Sequence, residues 1–299
     1  MKLQNKIDVH GHIMPFPDFT PPHGATGERF LSAEELIAMQ DKLGIQKSVL
    51  LPMISPDASY FFSTSEACAA TVQKYPERFA WFCNIDPRMT ESYTDHDIYD
   101  LLAFYKSIGA KGLGELTANL YFDDPKMQVL LEACGELDMP VLIHISTAIG
   151  NSYGIVDDLG LPRIEKMLQK FPKLKVIGHS QAFWSEISGD NNEEIRAINS
   201  KKPVAPGGRI TELMRKYPNL YCDLSANSGM VAMTRDEEHA AKFMTEFADR
   251  IYYGCDICAP GNTQSYHLND LLDRLSDSGM ISEETLRKIC YENAEKLLK

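Results

Sequence analysis

The chain has 299 residues, 44% of them hydrophobic and 24% charged, an ordinary globular composition with enough length for one large core. Its formal net charge of −12 excludes the usual nucleic-acid binder, which gathers Lys and Arg on one face. No apolar run approaches the roughly 20 residues that span a bilayer, and Met1-Lys2-Leu3-Gln4-Asn5 lacks a hydrophobic signal region, so the expectation is a cytoplasmic protein with no membrane partner.

The chain opens on Ile7-Asp8-Val9 followed by His10-Gly11-His12. In an extended chain residues i and i+2 share a face, so His10 and His12 project together from a strand end. Each neutral imidazole carries a donor and an acceptor that must be satisfied, which makes the pair poor core and a good half of a metal site. Asp8 shares their parity and is expected to be a buried acceptor that orients a ligand.

Short apolar runs then recur at Ser48–Leu51, Phe79–Ile85, Lys111–Leu116, Val141–Ile145, Lys175–Ile177, Leu220–Leu224 and Ile251–Gly254. With Ile7–Val9 they make eight candidate strands, each bounded by Gly, Pro or Asn as buried parallel strands tend to be. Helices are predicted between them. Ser32 to Glu35 and Ser63 to Glu66 read as capping boxes for Leu36–Leu43 and Ala67–Tyr75. Asp97–Ile108, Pro125–Leu137, Arg163–Phe171 and Arg209–Tyr217 follow, then a helix capped by Thr234 to Glu237 and running to about Ala248. His267–Ser278 and Ser282–Leu298 close the chain. Tyr75-Pro76, Phe171-Pro172 and Tyr217-Pro218 each stop a helix before a strand, since the residue preceding proline is pushed out of the α region.

This alternation predicts an α/β fold, a (β/α)8 TIM barrel, as a single domain over residues 1–299 without linkers. The connections after the first, fifth and sixth strands are long, Ile13–Leu31, Ser146–Gly160 and Ser180–Gly208. In such a barrel these loops lie on the face where active sites are built. The seven cysteines are scattered and read as reduced core thiols, and the lone Cys255-x-x-Cys258 lacks the second pair of a structural zinc site.

Polar residues stand at the strand ends: His10 and His12 on the first, Glu115 on the fourth, His144 on the fifth, His179 on the sixth and Asp256 on the eighth. The barrel would aim all six at one spot. Imidazoles and carboxylates without thiolate suit a catalytic divalent cation, zinc first, with manganese, iron or cobalt as alternatives and one or two ions. Glu115 could instead pair with Lys111 or accept a hydrogen bond from a ligand, and His179 could be a hydrogen-bond donor to substrate.

That set resembles the amidohydrolase superfamily of metal-dependent barrel hydrolases, whose pattern is H-x-H on the first strand, Lys or Glu on the fourth, His on the fifth and sixth, and Asp on the eighth. Tyr221-Cys-Asp223-Leu-Ser225, Tyr253-Gly-Cys-Asp256 and the terminal Tyr291-Glu-Asn293-Ala294-Glu-Lys-Leu297-Leu298 are similar to the branch that includes aminocarboxymuconate-semialdehyde decarboxylase. Cys255 stands where that pattern has serine, and the setting of Glu115 also resembles TatD-type nucleases. The resemblance implies a metal-dependent hydrolase that cleaves an amide, lactone or ester of a small molecule, with Asp256 taking the proton of water and His179 or His144 helping to polarise the bond attacked. Its decarboxylase members imply an alternative, a non-oxidative lyase on the same site, for which Arg209 is the candidate carboxylate partner. A third reading is a ligand-binding barrel without catalysis. Trp184 is a candidate substrate contact, while Tyr153, Arg29 and His23 read as ordinary loop residues. Oligomeric state is left open.

Overall fold

The computed structural model describes residues 3–24, 26–58, 61–89, 95–150 and 152–299. Nine strands occur among them in chain order: β1 (Lys6–Gly11), β2 (Ile45–Leu50), β3 (Phe79–Trp81), β4 (Leu113–Leu116), β5 (Val141–Ser146), β6 (Ile155–Val156), β7 (Val176–His179), β8 (Leu220–Asp223) and β9 (Ile251–Tyr252). All pairings between them are parallel, in the orders β1-β2-β3 and β4-β5-β7-β8-β9. A parallel bridge from Cys83 to Leu113 joins β3 to β4. The amide of Val9 donates to the Tyr253 carbonyl at 3.0 Å and that of Asp256 to His10 at 2.8 Å, which closes β9 onto β1. The result is the expected single (β/α)8 barrel. β6 is an addition, paired to the upper end of β5 inside the predicted long loop. It shifts the predicted sixth, seventh and eighth strands to β7, β8 and β9.

Side chains alternate between the barrel interior and the helix layer. Val9, Val49, Leu51, Leu142, Ile177 and Tyr252 fill the interior, with Phe82 and Ala294. A larger cluster lies between strands and helices. One pleat above Leu142, Ile177 and Tyr221 stand His144, His179 and Asp223, so the apolar plug of the barrel is the floor of the site. β1 departs from alternation. Its pairing with β2 shifts register between Asp8 and Gly11. Such a bulge re-aims a side chain. It turns His10 inward beside Val9, while Asp8 keeps the alternation and faces helix α1 (Ala33–Leu43) and β2, accepting from Ser48 Oγ at 3.1 Å and from the amides of His10 and Cys255 at 2.9 Å. Asp8 braces backbone and orients no imidazole, contrary to the parity argument. Gly11 is required by close approach, since a Cβ there would fall 2.6 Å from Ser48 Oγ.

The helices follow the predicted order with two shifted caps. Ser32 and Glu35 form the expected capping box on α1. Helix α2 (Ser65–Lys74) is capped by Thr64, because Ser63 is held extended by paired backbone bonds to Met53. Helices α3 (Asp95–Ser107), α4 (Pro125–Glu136) and α5 (Pro162–Lys170) come next. Helix α6 (Gln181–Ser185), α7 (Arg209–Lys216) and α8 (Ala226–Thr234) follow, with α6 and α8 starting directly at strand ends. Helix α9 (Glu237–Glu246) is capped by Asp236 in place of Thr234, which lies inside α8. After α10 (Gln264–Asp277) the last predicted helix divides into α11 (Glu283–Arg287), a π-turn over Lys288–Glu292 and α12 (Asn293–Leu297). There Asn293 Nδ2 donates to Ala248 and Ile251 carbonyls at 2.7 and 2.9 Å, and Ile289 accepts from the Tyr253 amide. Among the described residues no helix is long and apolar enough to cross a membrane. All seven cysteines are free thiols, and six are buried.

Candidate metal centre

The barrel brings His10, His12, Glu115, His144, His179 and Asp256 to one point at the carboxyl ends of its strands. Nε2 of His10 lies 3.6 Å from Glu115 Oε2 and 3.8 Å from Asp256 Oδ1. His12 Nε2 lies 3.5 and 3.4 Å from the same two oxygens. His179 Nε2 lies 3.7 Å from Glu115 Oε1 and 4.0 Å from Asp256 Oδ2. Three overlapping triads have ligand atoms within 4.8 Å of one another: His10, His179 and Asp256; His10, His12 and Glu115; Glu115, His144 and His179. Glu115 turns one oxygen to His10 and His12 and the other to His144 and His179. No contact to Lys111 is needed to explain its place.

The imidazoles are oriented from behind. Asp223 accepts from His10 Nδ1 through Oδ2 at 2.8 Å and from His179 Nδ1 through Oδ1 at 2.9 Å. Ser225 Oγ donates to Asp223 Oδ1 at 2.7 Å and holds that carboxylate in place. His12 Nδ1 donates to the Leu51 carbonyl at 3.1 Å. In the neutral ring that a cation requires, an acceptor at Nδ1 puts the proton there and leaves the Nε2 lone pair bare. Three bare Nε2 atoms thus face one point. His144 differs, with its Nδ1 2.6 Å from Glu115 Oε1 and its ring 4.4 Å from that of Tyr153.

Burial opposes charge on Asp223, Glu115, Asp256, His10 and His12, and their mutual attraction outweighs it. Asp223 is held well below the usual carboxylate range despite its burial, because His179 and His10 lie against it. Glu115 is likewise pushed down by His144 and His10, and Asp256 by His10 and His12. In return, against the effect of burial, Asp223, Asp256 and Glu115 hold His10 well above its ordinary value, and Asp256 and Glu115 raise His12 to about 9. Such a cluster of opposed titrating groups is where function concentrates. His10 Nε2 is buried with no hydrogen-bond partner. A buried unpartnered nitrogen costs free energy unless something occupies it, and its surroundings of nitrogen and oxygen donors fit a divalent cation.

The sequence motif Tyr221-Cys-Asp223-Leu-Ser225 does not by itself show that Asp223 and Ser225 orient the imidazoles. The signal was available: Asp223 lies one pleat above Tyr221 on the inner face of β8, where an unpaired carboxylate is rare. The loop residues sort differently from expectation. His23 and Tyr153 line the cavity over the site, about 470 Å³ in volume. Trp184 does not line it. Its indole is buried against Phe183 and Phe243, and Nε1 donates to the Asp223 carbonyl at 3.1 Å. Arg209 is also remote, because it is the first residue of α7 and is held by Glu165 and by Glu212 at 2.7 Å. Arg29 is paired with Asp18 and Glu35.

Fold and site together define an α/β-barrel protein with a histidine–carboxylate centre. A family model described as amidohydrolase matches residues 7–299, and the chain belongs to that family. No curated protein matches it in sequence. Solved structures share the fold at low identity. The 5-carboxyvanillate decarboxylase of Sphingomonas paucimobilis is 17% identical over 99% of each chain, with a TM-score of 0.62. A dihydroxybenzoic acid decarboxylase from a Polaromonas species, with bound manganese and the inhibitor 2-nitroresorcinol, is 18% identical over 99% of this chain and 97% of that one, with a TM-score of 0.58. A probable 2-pyrone-4,6-dicarboxylic acid hydrolase from Acinetobacter baumannii, with citric acid bound, is 15% identical over 99% of each chain, with a TM-score of 0.56.

Proposed function

We propose that the protein is a metal-dependent hydrolase that cleaves an amide, lactone or ester bond of a small molecule. The observation that carries this is the convergence of three bare Nε2 atoms, from His10, His12 and His179, on the carboxylates of Glu115 and Asp256. Those five residues would hold a divalent cation, zinc or one of manganese, iron and cobalt, with His144 beside Glu115. When bound, the cation supplies Lewis acidity and makes water acidic enough to attack near neutral pH. The residues do the rest. Asp256 is a mostly buried carboxylate that lines the cavity and is held ionised by His10 and His12, so it accepts the proton of attacking water. Asp223 keeps His10 and His179 in the tautomer that leaves Nε2 unprotonated. Glu115 turns one oxygen to His10 and His12 and the other to His144 and His179, so it would be a ligand to the cation from the middle of the cluster. A non-oxidative decarboxylase is the second reading, favoured by the decarboxylases among the structural neighbours.

The test is a panel of small lactones, esters and amides offered to metal-loaded protein in water enriched in heavy oxygen. Solvent oxygen in the acid product is the expected result. Asp256→Asn should then lower turnover by about 10²–10⁴-fold while metal is kept, because the amide cannot accept a proton. Carbon dioxide released from aromatic acids, with no hydrolysis of the panel, would move the assignment to the lyase.

A further inference from the structure

We propose that the cavity selects an uncharged substrate that carries an apolar face and several hydrogen-bonding groups, and rejects carboxylates. This rests on the hydrolase reading and gives it a substrate class. Among the described residues no lysine or arginine lines the cavity. The residues outside the description at 25, 59, 60, 90–94 and 151 are neither lysine nor arginine in the sequence, and Lys2 precedes β1. Three arginines of the loops on this face are engaged elsewhere. Arg29 pairs with Asp18 and Glu35, and Arg88 with Asp57 and Asp86. Arg196 is buried and donates to the Asp157 carbonyl at 2.9 Å. Arg235 does not line the cavity: its Nη1 donates to the Ser200 carbonyl at 3.2 Å, its Nε and Nη2 have no hydrogen-bond partner among the described residues, and it borders a separate crevice of about 10 Å³ behind Asn199 and Ser228.

The charge of the site itself points the same way. Glu115, Asp223 and Asp256 bring three negative charges, and one divalent cation brings two positive ones, with the histidines neutral when they hold it. An anionic group entering next to that surplus meets repulsion. What the cavity offers is neutral. Gln181, Asn199 and Asn227 line it, and none of these three amides has a hydrogen-bond partner among the described residues. They come from the segments after β7 and β8. From the segments after β1 and β2 come Phe30 and Phe61, with rings 4.7 Å apart, and Tyr153 closes over His144 from β5. One wall is aromatic and the other is amide, which suits a planar, polar, uncharged molecule.

The experiment is calorimetric titration of metal-loaded protein with three matched pairs: benzamide and benzoate, nicotinamide and nicotinate, salicylamide and salicylate. Metal content is measured on the same sample. The amide should bind more tightly than its carboxylate, by about tenfold or more, the range of a single unfavourable charge contact. Asn199→Arg should bring the carboxylates level with the amides or above them. Carboxylates that bind as well as the amides in the unaltered protein, or amides that do not bind at all, overturn the inference. If metal is present when that happens, the hydrolase reading survives it, whereas a protein that takes up no metal removes both.

Discussion

Asp223 holds two imidazoles through separate oxygens, and its own place is fixed by Ser225. Asp223→Asn therefore frees His10 and His179 to rotate and to change tautomer. Metal affinity measured by competition with a chelator should fall by about 10–100-fold, while Asp8→Asn, which touches no ring, leaves it near the starting value. A second buried carboxylate gives a pH signature away from the metal. Asp157 accepts from the amides of Arg163 and Ile164 at 3.0 and 2.8 Å at the start of α5. Burial raises its pKa from 3.8 to about 6 in spite of these bonds. The folded state then binds a proton that the unfolded chain has lost, so stability falls as pH rises from about 4 to about 6, by about 3 kcal/mol in full. Asp157→Asn lacks this titration. The difference in urea midpoint between wild type and variant should drift in favour of the variant across that window, and a constant difference would contradict the burial argument.

At the scale of elements, the caps distinguish what sequence pattern can give. Thr64 accepts from the Ala67 amide at 3.3 Å at the start of α2, and Ser63 belongs to a bridge with Met53. Thr64→Ala should cost about 0.5–2 kcal/mol in denaturant unfolding, and Ser63→Ala distinctly less. Local spacing made both residues eligible, and only the backbone pairing of Ser63 decides between them. The same limit explains α6 and α8. Both begin within three residues of a strand end, and neither has an amphipathic repeat long enough to read. The split of the terminal helix by a π-turn was equally invisible, since it answers to Asn293 reaching the carbonyls of Ala248 and Ile251. The bulge in β1 is the most consequential of these hidden features. It lets Val9 and His10, neighbours in sequence, both face the barrel interior, and so separates Asp8 from the centre.

Over the whole molecule, the barrel and its cluster of metal-type ligands were legible because eight buried parallel strands each leave their mark as a short apolar run, and because a polar residue at the end of such a run has few other reasons to be there. His10, His12, Glu115, His144, His179 and Asp256 all stand at such ends, and the fold brings their side chains together. Asp223 sat on the same pattern and was passed over as motif. Trp184 and Arg209 were assigned by loop position alone, and loops do not fix direction, so both turned out to serve packing and ion pairs. The central claim is that the convergent Nε2 atoms and carboxylates form a cation site. The direct measurement is plasma-emission metal analysis of purified protein beside the double variant His10→Ala with His12→Ala. The unaltered protein should hold at least one divalent ion per chain, and the variant should lose it while keeping its circular dichroism. Equal metal content in the two proteins would place the ion elsewhere, and none in either after loading would contradict the site.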